Sequence, residues 1–206
     1  RPETTVFVNP LAGGPVVLVA AVGEAEGARG AAAALACGGA GVDAATLLID
    51  VGGRTPRPTL IASAAAQKLG ERLQAHLSDA RVAARGQVCH LAVAAGSDGL
   101  GAAAAAIDVA RGSLAVLHLP PSMLQEALGE SGLRPTGVLL RADLPKDRAL
   151  VALAVRDLLK RDQAVGVLKH RLGWVAERRA LFGVLPAGSP GGLSERLVRR
   201  LCSGRR

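Results

Sequence analysis

An α/β domain with a mainly parallel β-sheet and helices on both faces is what this sequence predicts, on three observations. Apolar runs of strand length recur along the chain, most of them apolar at every position, as strands buried on both faces are. Stretches with apolar residues at helical spacing lie between these runs, and that alternation, joined by right-handed crossovers, builds a parallel sheet. The chain has 206 residues, 50% of them hydrophobic, enough for one sizeable core and too few for two.

In chain order, residues 1–15 are rich in Pro, Gly and Thr and read as an arm or linker. The first strand, "VVLVAAV" from Val16, runs directly into "GEAEGARGAAAALA" from Gly23, which has the form of a glycine-punctuated turn and a helix. "ATLLIDV" from Ala45 is the next strand. A helix follows over about Thr59 to Leu77, with Leu60, Ala64, Leu69 and Leu73 on one side and Gln67, Lys68, Glu71 and Arg72 toward solvent. "VCHLAVAA" from Val88, "SLAVLHL" from Ser113, "TGVLLRA" from Thr136 and "AVGVLKH" from Ala164 are the remaining strands, and "GAAAAAIDVA" is an ordinary helix despite its low complexity. In "PKDRALVALAVRDLLKRD", Pro145 suits a first helical turn and Asp143 a cap, while Leu150, Leu153, Ala154 and Leu158 recur at helical spacing. "LPAGSPGG" reads as a loop before a last helix. The domain therefore spans 16–190, between the arm at 1–15 and a basic amphipathic helix at 191–206.

Composition narrows the function less than the fold. The net charge of +8 and pI near 10.6 favour acidic partners, and much of the excess follows residue 168. Cys37, Cys89 and Cys202 are odd in number, widely spaced and outside any metal-ligand pattern, which argues against a disulfide scaffold and for a reducing, cytoplasmic setting. No run approaches the ~18 consecutive apolar residues of a membrane span. Cys89 and His90 are adjacent on a strand and point to opposite faces, so they cannot pair. Ser97, Asp98 and His118 all fall near strand ends, where a Ser/His/Asp set is imaginable, but no nucleophile-elbow pattern surrounds Ser97.

The order and local wording of these segments resemble the MinD/ParA group of deviant P-loop ATPases, which includes the TadZ/CpaE-like proteins of pilus assembly. Four segments carry the resemblance: "GEAEGARG" (Gly23 to Gly30), "LLIDVG", "VAAGSDGL" and "GVLLRAD". They match the family's K-G-G-x-G-K-[ST]-[ST] loop, its "LLIDxD"-like segment, its Asp followed by "TPPGL", and its strand bearing a base-reading Asn. The resemblance implies a P-loop NTPase-like three-layer sandwich of the SIMIBI type, with dimers meeting across the nucleotide face. The departures are chemical. Gly23 and Ala28 stand where the family has lysines, Arg29 where it has a metal-binding hydroxyl, Ala95 where it has a carboxylate and Arg141 where it has the Asn. Asp50 alone stays in register. Glu24 and Glu26 add carboxylates to the loop, each worth roughly 3 kcal/mol of repulsion toward a phosphate charge at ~5 Å.

The expectation is thus a pseudo-ATPase, a non-catalytic binding or positioning subunit, with no catalytic residue, metal or cofactor. Gly23, Gly27, Gly30 and Asp50 mark a vestigial site, with plain turn and packing glycines and a strand-end cap as the alternative. The rivals are an active ATPase of the same fold and an adaptor working through the basic tail. There Leu193, Leu197, Val198 and Leu201 form one arc and Arg196, Arg199 and Arg200 the other side, ahead of Arg205 and Arg206. Such a helix resembles the membrane-targeting helix of MinD, and Arg196, Arg199, Arg200, Leu197 and Leu201 would meet an anionic bilayer or acidic partner at the inner face of the membrane. The alternative is a last helix docked on the sheet with a solvated arginine face. Expected partners are a second copy of the chain or an ATPase of the same fold; nucleic acid is less favoured, because no stacking residues or reading motif accompany the charge.

Overall fold

A computed structural model describes residues 14–23, 27–39, 44–54, 61–78, 80–129, 133–142, 145–169, 184–186 and 195–204. Residues 1–13, Glu24, Glu26, Thr59, Leu60, Asp143, Leu193, Arg205 and Arg206 lie outside the described residues, as does the "LPAGSPGG" stretch beyond Pro186.

The strands are β1 (Val16–Ala21), β2 (Thr46–Val51), β3 (Arg81–Arg85), β4 (Val88–Val93), β5 (Ala115–Leu119), β6 (Gly137–Ala142), β7 (Ala164–Lys169) and β8 (Val184–Pro186). They form one sheet in the order β3-β4-β2-β5-β1-β6-β7-β8. Every pairing is parallel except the β3-β4 hairpin. The apolar runs read from the sequence all became strands. β3 escaped that reading because "RVAAR" begins and ends on exposed arginines and is apolar only between them. β8 is a correction: Leu185 and Pro186, placed in a loop, pair with Leu168 and Lys169.

Strand alternation sends successive side chains to opposite layers. On one face, Leu18, Leu47, Ile49, Leu91, Leu117 and Leu140 pack against α2 (Ala64–His76), α3 (Ser97–Val109) and α5 (Arg148–Lys160), with the short α4 (Leu124–Leu128) at one end. On the other, Val17, Val19, Leu48, Val116 and Leu139 pack against α1 (Ala28–Gly39) and α6 (Glu195–Ser203). Fully burying one such Leu or Val stabilises by about 1.5–3 kcal/mol.

Two helices differ in detail from the expectation. α2 starts at Ala64, where the Ser63 side chain accepts from the Ala66 N–H, and it buries Ala66, Leu69, Gly70 and Leu73, whereas Ala64 is exposed. In α5 the buried stripe is Val151, Val155 and Leu158, while Leu150 and Leu153 are 50% and 55% exposed. Two overlapping apolar stripes were available, and the one beginning at Val151 faces the sheet. No helix among the described residues is long and apolar enough to cross a membrane.

Candidate functional site

Alternation also builds the site. On β2, Leu48 faces α1, so Asp50, two residues on, faces it too; on β5, Val116 does the same for His118. The parallel register sets Asp50 directly opposite His118. Both stand near the carboxyl ends of their strands, the edge where open α/β sheets bind ligands. Across from them, α1 presents Arg29 one residue into its first turn.

Both Asp50 oxygens are engaged. Arg29 Nε lies 2.8 Å from Oδ2 and His118 Nδ1 lies 2.8 Å from Oδ1. Asp50 is 3% exposed, so the pair is shielded at its acidic end, while the Arg29 side chain is 60% exposed. Burial pushes the Asp50 carboxyl up, but the His118 hydrogen bond and the Arg29 charge together outweigh it and hold it below the usual carboxylate value. An ionised Asp50 accepts only, so Nδ1 of His118 carries the proton and donates. Gly53 makes room for this arrangement, since a Cβ there would collide with the Asp50 carboxylate.

The glycine turn lies beside a second group of polar residues. Gly23 has φ +63°, and a Cβ on it would strike the carboxylate of Asp147, which is 3% exposed. Asp147 Oδ2 has no hydrogen-bond partner among the described residues. Gly27, with φ +79°, lies over the Arg141 guanidinium, 3.8 Å from where a Cβ would sit. Arg141 is 6% exposed and already has an interaction partner within the chain. Gly30 is exposed in the first turn of α1, with open space around it.

The residues read from sequence are thus partly reunited and partly separated. Asp50 and Arg29, placed in different motifs, touch. His118 pairs with Asp50 and with neither Ser97 nor Asp98, both exposed at the start of α3, so the Ser/His/Asp set is not assembled. Ala95 follows β4, which is separated from β1 by β2 and β5. The strands beside β1 are β5 and β6, and β5 ends in His118 and Leu119 ahead of Pro120 and Pro121. Gly53 carried no signal, because its role depends on where the Asp50 side chain points.

At the other end of the chain, Leu201 is 1% exposed and Cys202 3%, both packed in the core beneath α6. A Cβ on Gly137 would strike the Leu201 backbone, so helix and β6 are in close contact. This corrects the reading of Leu201 as a bilayer contact: it is spent on the sheet. Arg199 is exposed and Arg200 half-buried, each with an interaction partner, and the side chains of Arg196 and Leu197 lie outside the description.

Among the described residues no group of three or more His, Cys, Asp and Glu is placed to hold a metal ion. A pocket of about 480 Å³, with Arg29, Asp50 and His118 in its wall, opens between α1, β2, β4, β5 and the β3-β4 turn. His90 lines it with Nε2 buried and unpartnered. Burial holds His90 below the usual histidine value, against the pull of the Asp50 charge and with help from Arg29.

An eight-stranded, mostly parallel sheet sandwiched by helices, with a glycine turn leading from central β1 into α1, defines the class as a three-layer α/β sandwich. The particular likeness is to the crystal structure of a ParA family ATPase from Chlorobium tepidum TLS, 12% identical, covering 92% of this chain and 91% of that one with a TM-score of 0.54. At that identity the likeness is one of fold. No protein-family model matches the sequence, and no curated protein matches it.

Proposed function

We propose that this chain is a pseudo-ATPase of the MinD/ParA-like fold, a non-catalytic subunit that binds or positions a protein partner. The observation that carries the reading is a glycine turn with Gly23 and Ala28 where the resemblance calls for lysines, set beside the Arg29–Asp50–His118 cluster. Phosphoryl transfer on this kind of fold needs a lysine at the phosphates, a hydroxyl on Mg²⁺ and carboxylates that organise metal and water. Here the carboxylate that would serve the metal is saturated by the protein's own arginine and histidine, and the adjoining strand ends in an imidazole.

Magnitudes decide how much each feature contributes. A dication about 4 Å from the guanidinium would be repelled by between about 2 and 8 kcal/mol, nearer the lower figure because Arg29 is largely exposed. An exposed arginine can also swing aside for about 1–2 kcal/mol, so the ion pair alone is a weak barrier. The uncompensated loss is that of the two lysines, at Gly23 and Ala28. Arg141 lies close to the turn but already has a partner and is fixed beneath the backbone.

By the TadZ/CpaE-like resemblance, the setting is a pilus, secretion or polar-localisation assembly. The partner is a second copy or an active ATPase of the same fold. Calorimetric titration with ATP and Mg²⁺ tests the reading: no binding heat is expected, and a Mg²⁺-dependent Kd in the micromolar range would refute it.

A further inference from the structure

The pocket beside α1 shares Arg29, Asp50 and His118 with the central cluster, whereas Gly23, Gly27 and Gly30 of the glycine turn do not line it. Its apolar walls are Ala33 of α1, Leu48 of β2 and Val88 of β4. Its charges do not balance. Asp50 is matched by Arg29, whereas Arg85, at the end of β3, is exposed and has no ion-pair partner among the described residues. Register puts Arg85 opposite Val88 and Ala83 opposite His90, so Arg85 and His90 stand on the same face, two residues apart along the hairpin. His90 contributes a buried ring nitrogen with nothing to bond, which ordinarily costs free energy and is relieved by a partner. A cavity of about 480 Å³ falls within the usual range of small-molecule sites, which are mostly apolar with a few orienting polar groups.

We propose that this pocket binds a small monoanionic amphiphile, an apolar body bearing one carboxylate. The carboxylate sits between Arg85 and His90, accepting from the guanidinium and from Nε2–H of the neutral imidazole. The apolar body lies along Ala33, Leu48 and Val88. The unmatched Arg85 sets the ligand's charge, and the wall residues set its apolar character. The site goes beyond the pseudo-ATPase reading although it borders the same cluster, and its test uses neither ATP nor Mg²⁺, so the failure of one reading is distinguishable from the failure of the other.

Decanoate is the probe, titrated calorimetrically into the whole chain, with decanol and decylammonium as neutral and cationic controls. Saturable one-to-one binding of decanoate is expected, with weaker binding of decanol and none of decylammonium. Ala33→Trp, at a half-buried position on α1, fills the pocket and should abolish binding with an unchanged melting temperature. Arg85→Glu, at an exposed position, should weaken decanoate by about tenfold, the effect of losing one charge-assisted contact. Absence of saturable binding to the wild-type chain would overturn the proposal, and so would equal affinity for the three probes. Indifference of decanoate binding to both substitutions would do the same. A dimer in sedimentation that is broken by Ala33→Trp and unaffected by decanoate would assign the pocket to a second copy instead, and would equally overturn it.

Discussion

Arg29 and Asp50 allow the central cluster to be weighed directly, by a double-mutant cycle of Arg29→Ala and Asp50→Asn. The contact is 2.8 Å long, with one end buried and the other 60% exposed. Coulomb's law at that distance gives about 1.5 kcal/mol in a water-like dielectric and about 6 kcal/mol at an effective dielectric of 20. The exposed arginine places the real value near the lower bound, so the expected coupling is about 1–2 kcal/mol. For a chain of this size that corresponds to roughly 2–8 °C in Tm. Chemical denaturation of the four variants measures it, and 1 M salt should reduce it by about half. The pH dependence follows in sign from the depressed Asp50 pKa. The stabilisation is fully present above the unfolded carboxylate value, 3.8, and is lost as the pH falls through the still lower folded value. Wild type and Asp50→Asn should therefore converge in stability at strongly acidic pH. A coupling below about 0.3 kcal/mol, within the scatter of independent sites, would refute the view that Arg29 neutralises Asp50.

Three further outcomes follow from the same structure. Gly53→Ala, whose methyl would collide with the Asp50 carboxylate, should destabilise by about 1–3 kcal/mol, much less so in an Asp50→Ala background, as thermal melts can read. Thiol labelling at neutral pH should modify exposed Cys37 first. Burial pushes Cys89 up to about 11 and Cys202 up to about 12, so both should react only on opening, and a Cys202 labelled as fast as Cys37 would mean that α6 is not docked. Leu201→Ala should cost about 2–5 kcal/mol in denaturant unfolding, because the side chain is 1% exposed; a neutral substitution would return Leu201 to the candidates for bilayer contact.

Much of the fold could be read because parallel strands buried on both faces need uninterrupted apolar runs, and this chain supplies them in plain order. Strand order was not readable, and the site depends on it. The sequence placed Asp50 and His118 in separate segments, and the set it offered for His118, with Ser97 and Asp98, was one it argued against. Only the adjacency of β2 and β5 brings Asp50 and His118 together. β3 was missed because its edge position tolerates arginines at both ends. The docking of α6 was left open by an apolar arc that suits a sheet as well as a bilayer, and burial of Leu201 resolves it for that residue. Arg85 drew no attention in the sequence and His90 only as the neighbour of Cys89, since no local pattern announces a pocket formed across four strands and a helix.

The docking of α6 has a consequence for how the chain is made. Leu201 and Cys202 complete a hydrophobic layer that begins with Val17 and Val19 of the first strand. At about 5–20 residues per second, the ribosome delivers the closing helix roughly 10–40 s after β1. Throughout that interval the nascent polypeptide carries a bare apolar stripe along β6 and β7, so a holdase chaperone should find its foothold there until α6 has been made.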